Sequence, residues 1–479
     1  MTTPAMSRGG DILSSPMLEL SADDSWALKD SFEGTLIMGT NGSGKTSGCG
    51  KTIALQLLRH GLGGLVLTAK PEEVDLWRAY CKLTNRSDDL IIMEPGSPYR
   101  FNFIDYEARL QQGAGVGLAA NIADIIIKLT EVSGESGQQN DQFWQGERTK
   151  ILINPVETLI MAGEPLTPKA IYDIVVSAPE SEAELNSKRW RQSSACFKAL
   201  SKIKDRIDRG ELNGEEIADY QVLEDYWLYE HCRLAEKTRS IVKAMFTSFF
   251  TEFLKRPNRS LFCEDTTVTP EVCLQGKILL VNLPARDYGK VGIVAQKLMK
   301  LMFQRTVERS NTHLTKRLPA FLWADEFQTF YYDFDIQFQA TARSSKISTV
   351  YLTQNLPNCY VVAGGGAVGE NKIKALFGNL NTKFFLANDC PVTNRYASEL
   401  IGHERQWRQS RNTSYGQSGS RSFGEQEQFD FIIRPEAFHA LRTGGNRHQF
   451  LVDAYMVQTG VTFSLNQLPV LKVTFNQTL

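Results

Sequence analysis

Gly39-Thr40-Asn41-Gly42-Ser43-Gly44-Lys45-Thr46 stands directly behind the apolar run Leu36-Ile37-Met38. The eight residues fit the pattern G-x-x-x-x-G-K-[ST], and an apolar strand feeding a glycine-rich turn that opens a helix is the entry to a nucleotide-binding α/β fold. The glycines free the backbone to curl its N–H groups around phosphate oxygens. Lys45 reaches the β- and γ-phosphates, and the Thr46 hydroxyl suits Mg²⁺. The helix expected from about Lys45 adds its positive N-terminal end. Gly39 to Thr46 are therefore assigned to ATP binding, with Lys45 also neutralising phosphoryl charge. A second run, Gly48-Cys49-Gly50-Lys51-Thr52, imitates the first, but its register would need glycine where Lys45 stands. Only the first copy can form the cradle. A chance glycine-rich turn is the alternative, and the preceding strand argues against it.

Working outward, the 479 residues hold material for about three domains. A 42% hydrophobic and 22% charged composition is that of an ordinary globular protein. The formal net charge of −1 leaves no global basic signature, so any contact with nucleic acid must come from local patches. Eight cysteines are scattered without a C-x-x-C pair, which suits reduced thiols in the cytoplasm and predicts neither disulfides nor a structural metal. No apolar run approaches the ~18 residues that cross a bilayer, and MTTPAMSRGG lacks the order of a signal peptide. The expectation is a cytoplasmic protein without a membrane span, which a partner could hold peripherally at the inner membrane. Residues 1–25 read as a flexible arm.

The pattern after the cradle alternates helix and strand. A helix is expected over Thr46 to Leu58, a buried strand at Leu65-Val66-Leu67, a helix from Pro71 to about Cys81 and a strand at Leu90 to Met93. That alternation predicts a mainly parallel, doubly wound sheet. From about Tyr106 to Leu261 the periodicity becomes helical, with helices expected at Val116–Leu129, Phe143–Met161, Pro168–Ser177, Ser181–Arg209, Gln221–Cys232 and Thr238–Leu254. Strands return at Gly276–Leu283, Ala320–Ala324 and Ile347–Leu352, with helices at Val291–Glu308 and Phe334–Arg343 and a strand-helix pair between Lys383 and Glu399. The division expected is an arm over 1–25, the first part of a nucleotide-binding domain over 26–105, an all-alpha insertion over 106–271 and the second part over 272–479. Within the last, the polar stretch 408–428 reads as a flexible loop or hairpin, either a solvated connector or a basic arm carrying Arg408, Arg411 and Arg421.

A cradle alone only binds; hydrolysis also needs a carboxylate for Mg²⁺ and a group that aligns water. Phe321-Leu322-Trp323-Ala324-Asp325-Glu326 offers both, as an apolar strand tipped by two acids. Asp325 is the metal-holding carboxylate with Thr46, and Glu326 orients the water. A plain acidic helix start would read the same if the pair stood alone. Ser348 to Asn355 is another buried strand with a polar tip, which sets Gln354 in the crevice at the strand ends as a γ-phosphate sensor or, more simply, a strand-capping amide. Arg343, followed by Ser344-Ser345-Lys346, is either a surface arginine or an arginine finger delivered to a neighbouring subunit. The densest basic stretch, Lys188-Arg189-Trp190-Arg191 with Lys198, Lys202, Lys204, Arg206 and Arg209, offers phosphate contacts and a tryptophan for base stacking. Asp205 and Asp208 interleave, so it reads equally as a solvated helix face.

Cradle, helical insertion, acid-tipped strand, Arg-Ser-x-Lys and Thr-Gln-Asn, in this order, resemble the HerA/FtsK superfamily of ring ATPases. Within it the chain looks most like type IV secretion coupling proteins of the TraG/TraD kind, from about Gly34 to Gly444. Gly39–Thr46, Trp323–Gln328 and Ala342–Gln354 carry the likeness most sharply, and Asn140-Asp-Gln-Phe-Trp144, Thr238–Phe249 and Gly276–Leu283 echo it. The resemblance implies a RecA-like core with an all-alpha domain, ATP-driven movement of DNA through a homo-hexameric ring, ATP and Mg²⁺ as cofactors, DNA contacts on the ring's inner surface and the insertion, and a secretion-channel or DNA-processing partner. Two departures stand out. The family's N-terminal membrane helices are missing from this sequence, which leaves room for a DNA-packaging or defence ATPase. After the second strand the acidic position is lost from Thr68-Ala69-Lys70-Pro71-Glu72, while Lys70 remains. A nucleotide-gated scaffold is the rival reading from outside the motor class.

Overall fold

The computed structural model describes residues 12–110, 118–131, 142–310, 317–414 and 420–478. Its strands are β1 (Pro16–Glu19), β2 (Ser25–Ala27), β3 (Thr35–Met38), β4 (Gly63–Leu67), β5 (Leu90–Met93), β6 (Ile278–Val281), β7 (Ala320–Ala324), β8 (Ile347–Thr353), β9 (Thr382–Phe385), β10 (His403–Ser414), β11 (Ser420–Phe431), β12 (Leu451–Gln458) and β13 (Val470–Asn476). Nine of them form one sheet in the order β13-β12-β9-β3-β8-β7-β4-β6-β5. From β9 to β5 every pairing is parallel, with Met38 beside Thr353 and Phe385, and Ala324 beside Tyr351 and Leu67. A parallel sheet is covered on both faces, so its strands need apolar residues at successive positions and not at alternate ones. β3, β4, β6, β7, β8 and β9 are accordingly buried along their whole length. Within β3, Leu36 and Met38 enter one core while Ile37 enters the other.

The mainly parallel α/β sheet is as expected. Between β5 and β6 the described residues are helical, from Phe103–Leu110 to Asn258–Phe262 and then a 3₁₀ turn at Pro270–Gln275. Their apolar faces, including Ile151, Val156, Ile171, Phe250 and Phe253, are continuous with one face of the sheet. The helix Ala285–Ser310 runs along this junction, breaking regularity only at Gly289, whose φ of 52° needs a residue without a β-carbon. It is clasped to the helical segment by Arg305 to Asp124 at 2.9 Å and by Arg309 to Glu107.

Several expectations are corrected. The arm expected over residues 1–25 contains a 3₁₀ turn at Ile12–Ser14 and strand β1, whose Met17 is buried; residues 1–11 lie outside the described set. The single helix expected over Ser181–Arg209 is three, Glu182–Leu185, Lys188–Ser193 and Ala195–Asp208. Ser187 and Ser194 interrupt it because their hydroxyls accept from Trp190 N at 3.4 Å and Phe197 N at 3.1 Å, restarting the chain as N-caps. Of the two readings of 408–428, loop or hairpin, the structure takes the second: the stretch lies in an antiparallel ribbon, β10 with β11, paired from His403↔Phe431 to Ser414↔Ser420. Residues 415–419 between the strands are outside the described set.

β12, antiparallel to β9, and β13, antiparallel to β12, close one edge of the sheet. Asp453 on β12 is buried and accepts from Arg442 at 2.7 and 2.9 Å, from Lys472 at 3.1 Å and from Thr474 at 2.9 Å. Burial pushes its carboxyl up, but hydrogen bonds from Arg442, Lys472 and Thr474 outweigh that and hold it at about 2. A carboxyl depressed on folding stabilises the fold above its unfolded value and loses that contribution as pH falls. Asp453 should therefore contribute about 1–2 kcal/mol at neutral pH, after allowing for its half-exposed partners, and lose it between about pH 4 and pH 2. Urea titrations of the wild type and Asp453→Asn should differ at pH 7 and converge near pH 2.

Candidate functional site

The order β3-β8-β7-β4 decides which chain segments meet, because in a parallel sheet all the C-terminal tips lie on one edge. β3 opens the glycine loop, β8 is followed by Gln354, β7 by Asp325 and Glu326, and β4 by Thr68-Ala69-Lys70. Each segment is local in sequence; their contact is a product of topology.

In the loop, Gly42 and Gly44 take φ of 74° and 87°, the left-handed region. Gly44 is doubly fixed, since a β-carbon there would come within 2.5 Å of Val452 Cγ2 on β12. The first helical turn, Lys45–Gly50, is a wide π-turn that continues into the helix Lys51–Arg59. Lys45 is buried and folds back on the loop, donating to the carbonyls of Gly39 at 2.7 Å and Thr40 at 3.1 Å. Burial pushes its ammonium below the usual lysine value, against the pull of Asp325 and Glu326. Ser43 Oγ is buried with no hydrogen-bond partner in the protein.

Thr46 Oγ1 donates to Asp325 Oδ2 at 2.6 Å, across 279 residues of sequence. The other oxygen, Oδ1, accepts the Glu326 backbone N–H at 2.8 Å. Asp325 is 2% exposed, and burial first, then the neighbouring Glu326 charge, raises its carboxyl, while Thr46, Lys70 and Lys45 oppose the rise. Glu326 sits at φ 49°, a left-handed position that costs a side-chain-bearing residue about 1–3 kcal/mol and marks a place that the surrounding structure over-determines. Its carboxylate accepts Gln354 Nε2 at 2.9 and 3.1 Å, Gln328 Nε2 at 2.9 Å and Lys70 Nζ at 3.0 Å. Burial would raise its carboxyl, but those three donors outweigh it and keep it below the usual glutamate value.

Lys45, Thr46, Asp325, Glu326 and Gln354 are thus brought together. Arg343 is not. It follows the helix Phe334–Ala342 and precedes β8, so it lies at the opposite end of that strand from Gln354; its side chain is 73% exposed and pairs with Glu33 at 3.2 Å. Trp190, expected to offer a stacking face, is 6% exposed: its indole N–H donates to Ser177 O at 2.9 Å, and its ring packs edge-on against Phe197. Lys188, Arg189, Arg191 and Lys198 are exposed, Arg191 reaching back to Leu185 O and Lys202 pairing with Glu164. Arg408 and Arg411 fall on β10 and Arg421 on β11, and their side chains lie outside the described set. Of the Asn140–Trp144 echo, Asn140 and Asp141 lie outside the described set, as do the side chains of Gln142, Phe143 and Trp144.

The sequence reading did not assign Lys70, Glu73 or Gln328 to the site. Glu73 anchors the turn after β4 by accepting the N–H groups of Ala69 at 3.1 Å and Lys70 at 3.2 Å. Gln328 links Glu326 to Thr353, whose hydroxyl donates to its Oε1 at 2.8 Å. Lys70 had a signal in the sequence as the retained lysine after the second strand, and Gln328 as the end of the segment Trp323–Gln328; Glu73 had none.

Sheet order, glycine loop and helical segment define a RecA-like fold with an all-alpha domain. Residues 319–442 match the model of a family described as the TraM recognition site of TraD and TraG. Among solved structures, the bacterial conjugative coupling protein TrwBdeltaN70 in an unbound monoclinic form aligns with TM-score 0.59 and 13% identity over 98% of this chain and 89% of its own. The plasmid coupling protein TrwB with the GTP analogue GDPNP gives 0.62 and 12% over 99% and 92%. TrwB with ADP and Mg²⁺ gives 0.62 and 12% over 98% and 90%. No curated protein matches. The chain is TraG/TraD-like, as its motifs led one to expect: it shares the coupling-protein fold along nearly its whole length and matches the family itself over residues 319–442. No helix among the described residues is long and apolar enough to cross a membrane.

Proposed function

We propose that this chain is an ATP-hydrolysing motor that engages DNA, working as a homo-hexameric ring of the conjugative coupling type. The observation that carries the reading is the 2.6 Å contact of Thr46 with Asp325, made beside a glutamate that Gln354 touches. Sheet topology brings the two segments to one edge, and the residues that meet there are the hydroxyl and carboxylates that nucleotide chemistry needs.

The backbone N–H groups of Gly39 to Thr46 bind the phosphates, and the Lys45 ammonium exchanges its two loop carbonyls for phosphate oxygens. The residues fit a nucleotide with Mg²⁺: Ser43 has an unused buried hydroxyl, and Thr46 and Asp325 together present a hydroxyl and a buried carboxylate, the oxygen donors that a hard cation takes. When bound, Mg²⁺ supplies positive charge that offsets the charge of the phosphates. Glu326, kept ionised by its donors, holds the attacking water and takes its proton; Gln354, hydrogen-bonded to Glu326 from the neighbouring strand tip, reports the γ-phosphate to it.

Arg343, exposed and far from its own loop, supports delivery to the next subunit of the ring, where it would stabilise the charge of the transferring phosphoryl group. Arg343→Ala should lose at least about a hundredfold in turnover, and mixing it with Glu326→Gln should restore part of that activity, because one mixed interface keeps both groups. Mixtures as inactive as their components would count against shared sites.

DNA contacts are assigned to the exposed Lys188, Arg189, Arg191 and Lys198 and to the ribbon that carries Arg408, Arg411 and Arg421. The family matched over residues 319–442 supports a partner of the TraM kind there; the setting this reading takes is the cytoplasm, where a partner could hold the protein peripherally at the inner membrane.

A further inference from the structure

In the arrangement seen, three donors crowd the Glu326 carboxylate where an attacking water would have to sit. Oε1 accepts Lys70 at 3.0 Å and Gln354 at 2.9 Å; Oε2 shares the same Gln354 nitrogen at 3.1 Å and accepts Gln328 at 2.9 Å. The departure of one donor opens the place for water.

The three donors are not equally free to leave. Gln328 is held at the other end of its amide by the Thr353 hydroxyl at 2.8 Å, and Gln354, with a short side chain, follows β8 with its backbone carbonyl fixed by Asn388 Nδ2 at 2.8 Å. Lys70 projects from a turn whose backbone is pinned by Glu73, and its side chain is 46% exposed, with open solvent into which a flexible four-carbon stem can swing. The charged groups around the pair are Asp325 on the same strand tip, Lys45 across the loop and Glu73 beneath the turn.

We infer that Lys70 is a positioning residue that latches Glu326, occupying the place of the attacking water until its ammonium swings away. The inference rests on the ATPase reading and deepens it. The latch makes the site slow at rest, and whatever moves the turn after β4 sets the rate. That turn is joined to the long helix along the helical segment, since Arg286 N donates to Ala69 O at 3.2 Å and Arg286 Nη1 to Glu72 at 3.2 Å.

The test uses the full chain with Lys70→Met and Lys70→Arg. The latch predicts that Lys70→Met raises the DNA-free kcat about threefold or more at an ATP KM within twofold of the wild type, and that Lys70→Arg returns the rate to the wild-type level. A fall in kcat, a raised KM, or no change overturns it. Tm measured for Lys70→Met, Glu326→Gln and the double variant provides a readout without turnover: the two substitutions must be non-additive, and additive shifts overturn the pairing. If the wild type hydrolyses no ATP, the ATPase reading falls and the latch with it. A wild type that hydrolyses ATP, with a Lys70→Met variant no faster, removes the latch alone.

Discussion

Glu326→Gln should lower ATP turnover by about a thousandfold while leaving ATP binding within a few-fold of the wild type. The substitution keeps the size of the side chain, and its one remaining acceptor oxygen, placed as Oε2, can still take Gln354 and Gln328 while the new amide NH2 group faces Lys70, so the change is confined to the strand tip and the glycine loop is untouched. It removes the negative charge that takes the water's proton, a contribution of about 10²–10⁴ for a positioned base. It also removes the anion that Lys70 pairs with, 3.0 Å away. Titration with a fluorescent ATP analogue and a phosphate-release assay on the same preparation separate the two effects. A variant with normal turnover would remove Glu326 from the mechanism.

The second large effect is on stability. Lys300 on the helix Ala285–Ser310 and Asp335 on the helix Phe334–Ala342 form an ion pair at 2.6 Å with both side chains 0% exposed. The lysine also donates to Phe330 O at 2.8 Å and lies 4.6 Å from the centre of the Tyr332 ring. Asp335 accepts Gln304 Nε2 at 2.9 Å and the Tyr351 hydroxyl at 3.2 Å. Burial pushes the Lys300 ammonium below its usual value, and the Asp335 charge opposes that. Removing one charge strands the other, so Asp335→Ala should destabilise by about 3–5 kcal/mol in urea titrations, whereas Lys300→Met with Asp335→Leu should recover much of the loss. The network joins β8, the turn after Glu326 and the long helix. A folded Asp335→Ala variant should therefore also lose turnover.

Much of the site was legible because its parts are local. An apolar strand followed by a glycine loop, or by two acids, shows its function within eight residues, and Ile347–Thr353 announced a polar tip at Gln354 in the same way. What could not be read was adjacency. Nothing in the sequence says that β8 lies between β3 and β7, or that β4 lies on the far side of β7, and those facts bring Lys70, Gln328 and Glu326 together. The ribbon was left open between loop and hairpin because its strands carry few of the apolar residues whose alternation announces a strand, so no period-2 signal decides between the two. Trp190 was misread for the opposite reason. A tryptophan among basic residues looks like a stacking platform, but capping by Ser187 turns its ring inward, onto Phe197 and the Ser177 carbonyl.

The central claim is that ATP hydrolysis at Gly39–Thr46 and Glu326 is coupled to DNA. Its most direct test is the steady-state ATPase rate of the full chain with and without single- and double-stranded DNA over a range of salt. The account predicts stimulation by DNA that falls steeply as salt rises, as expected when lysines and arginines displace counterions from phosphates, and that vanishes in Glu326→Gln. A rate indifferent to DNA at every salt concentration would contradict it.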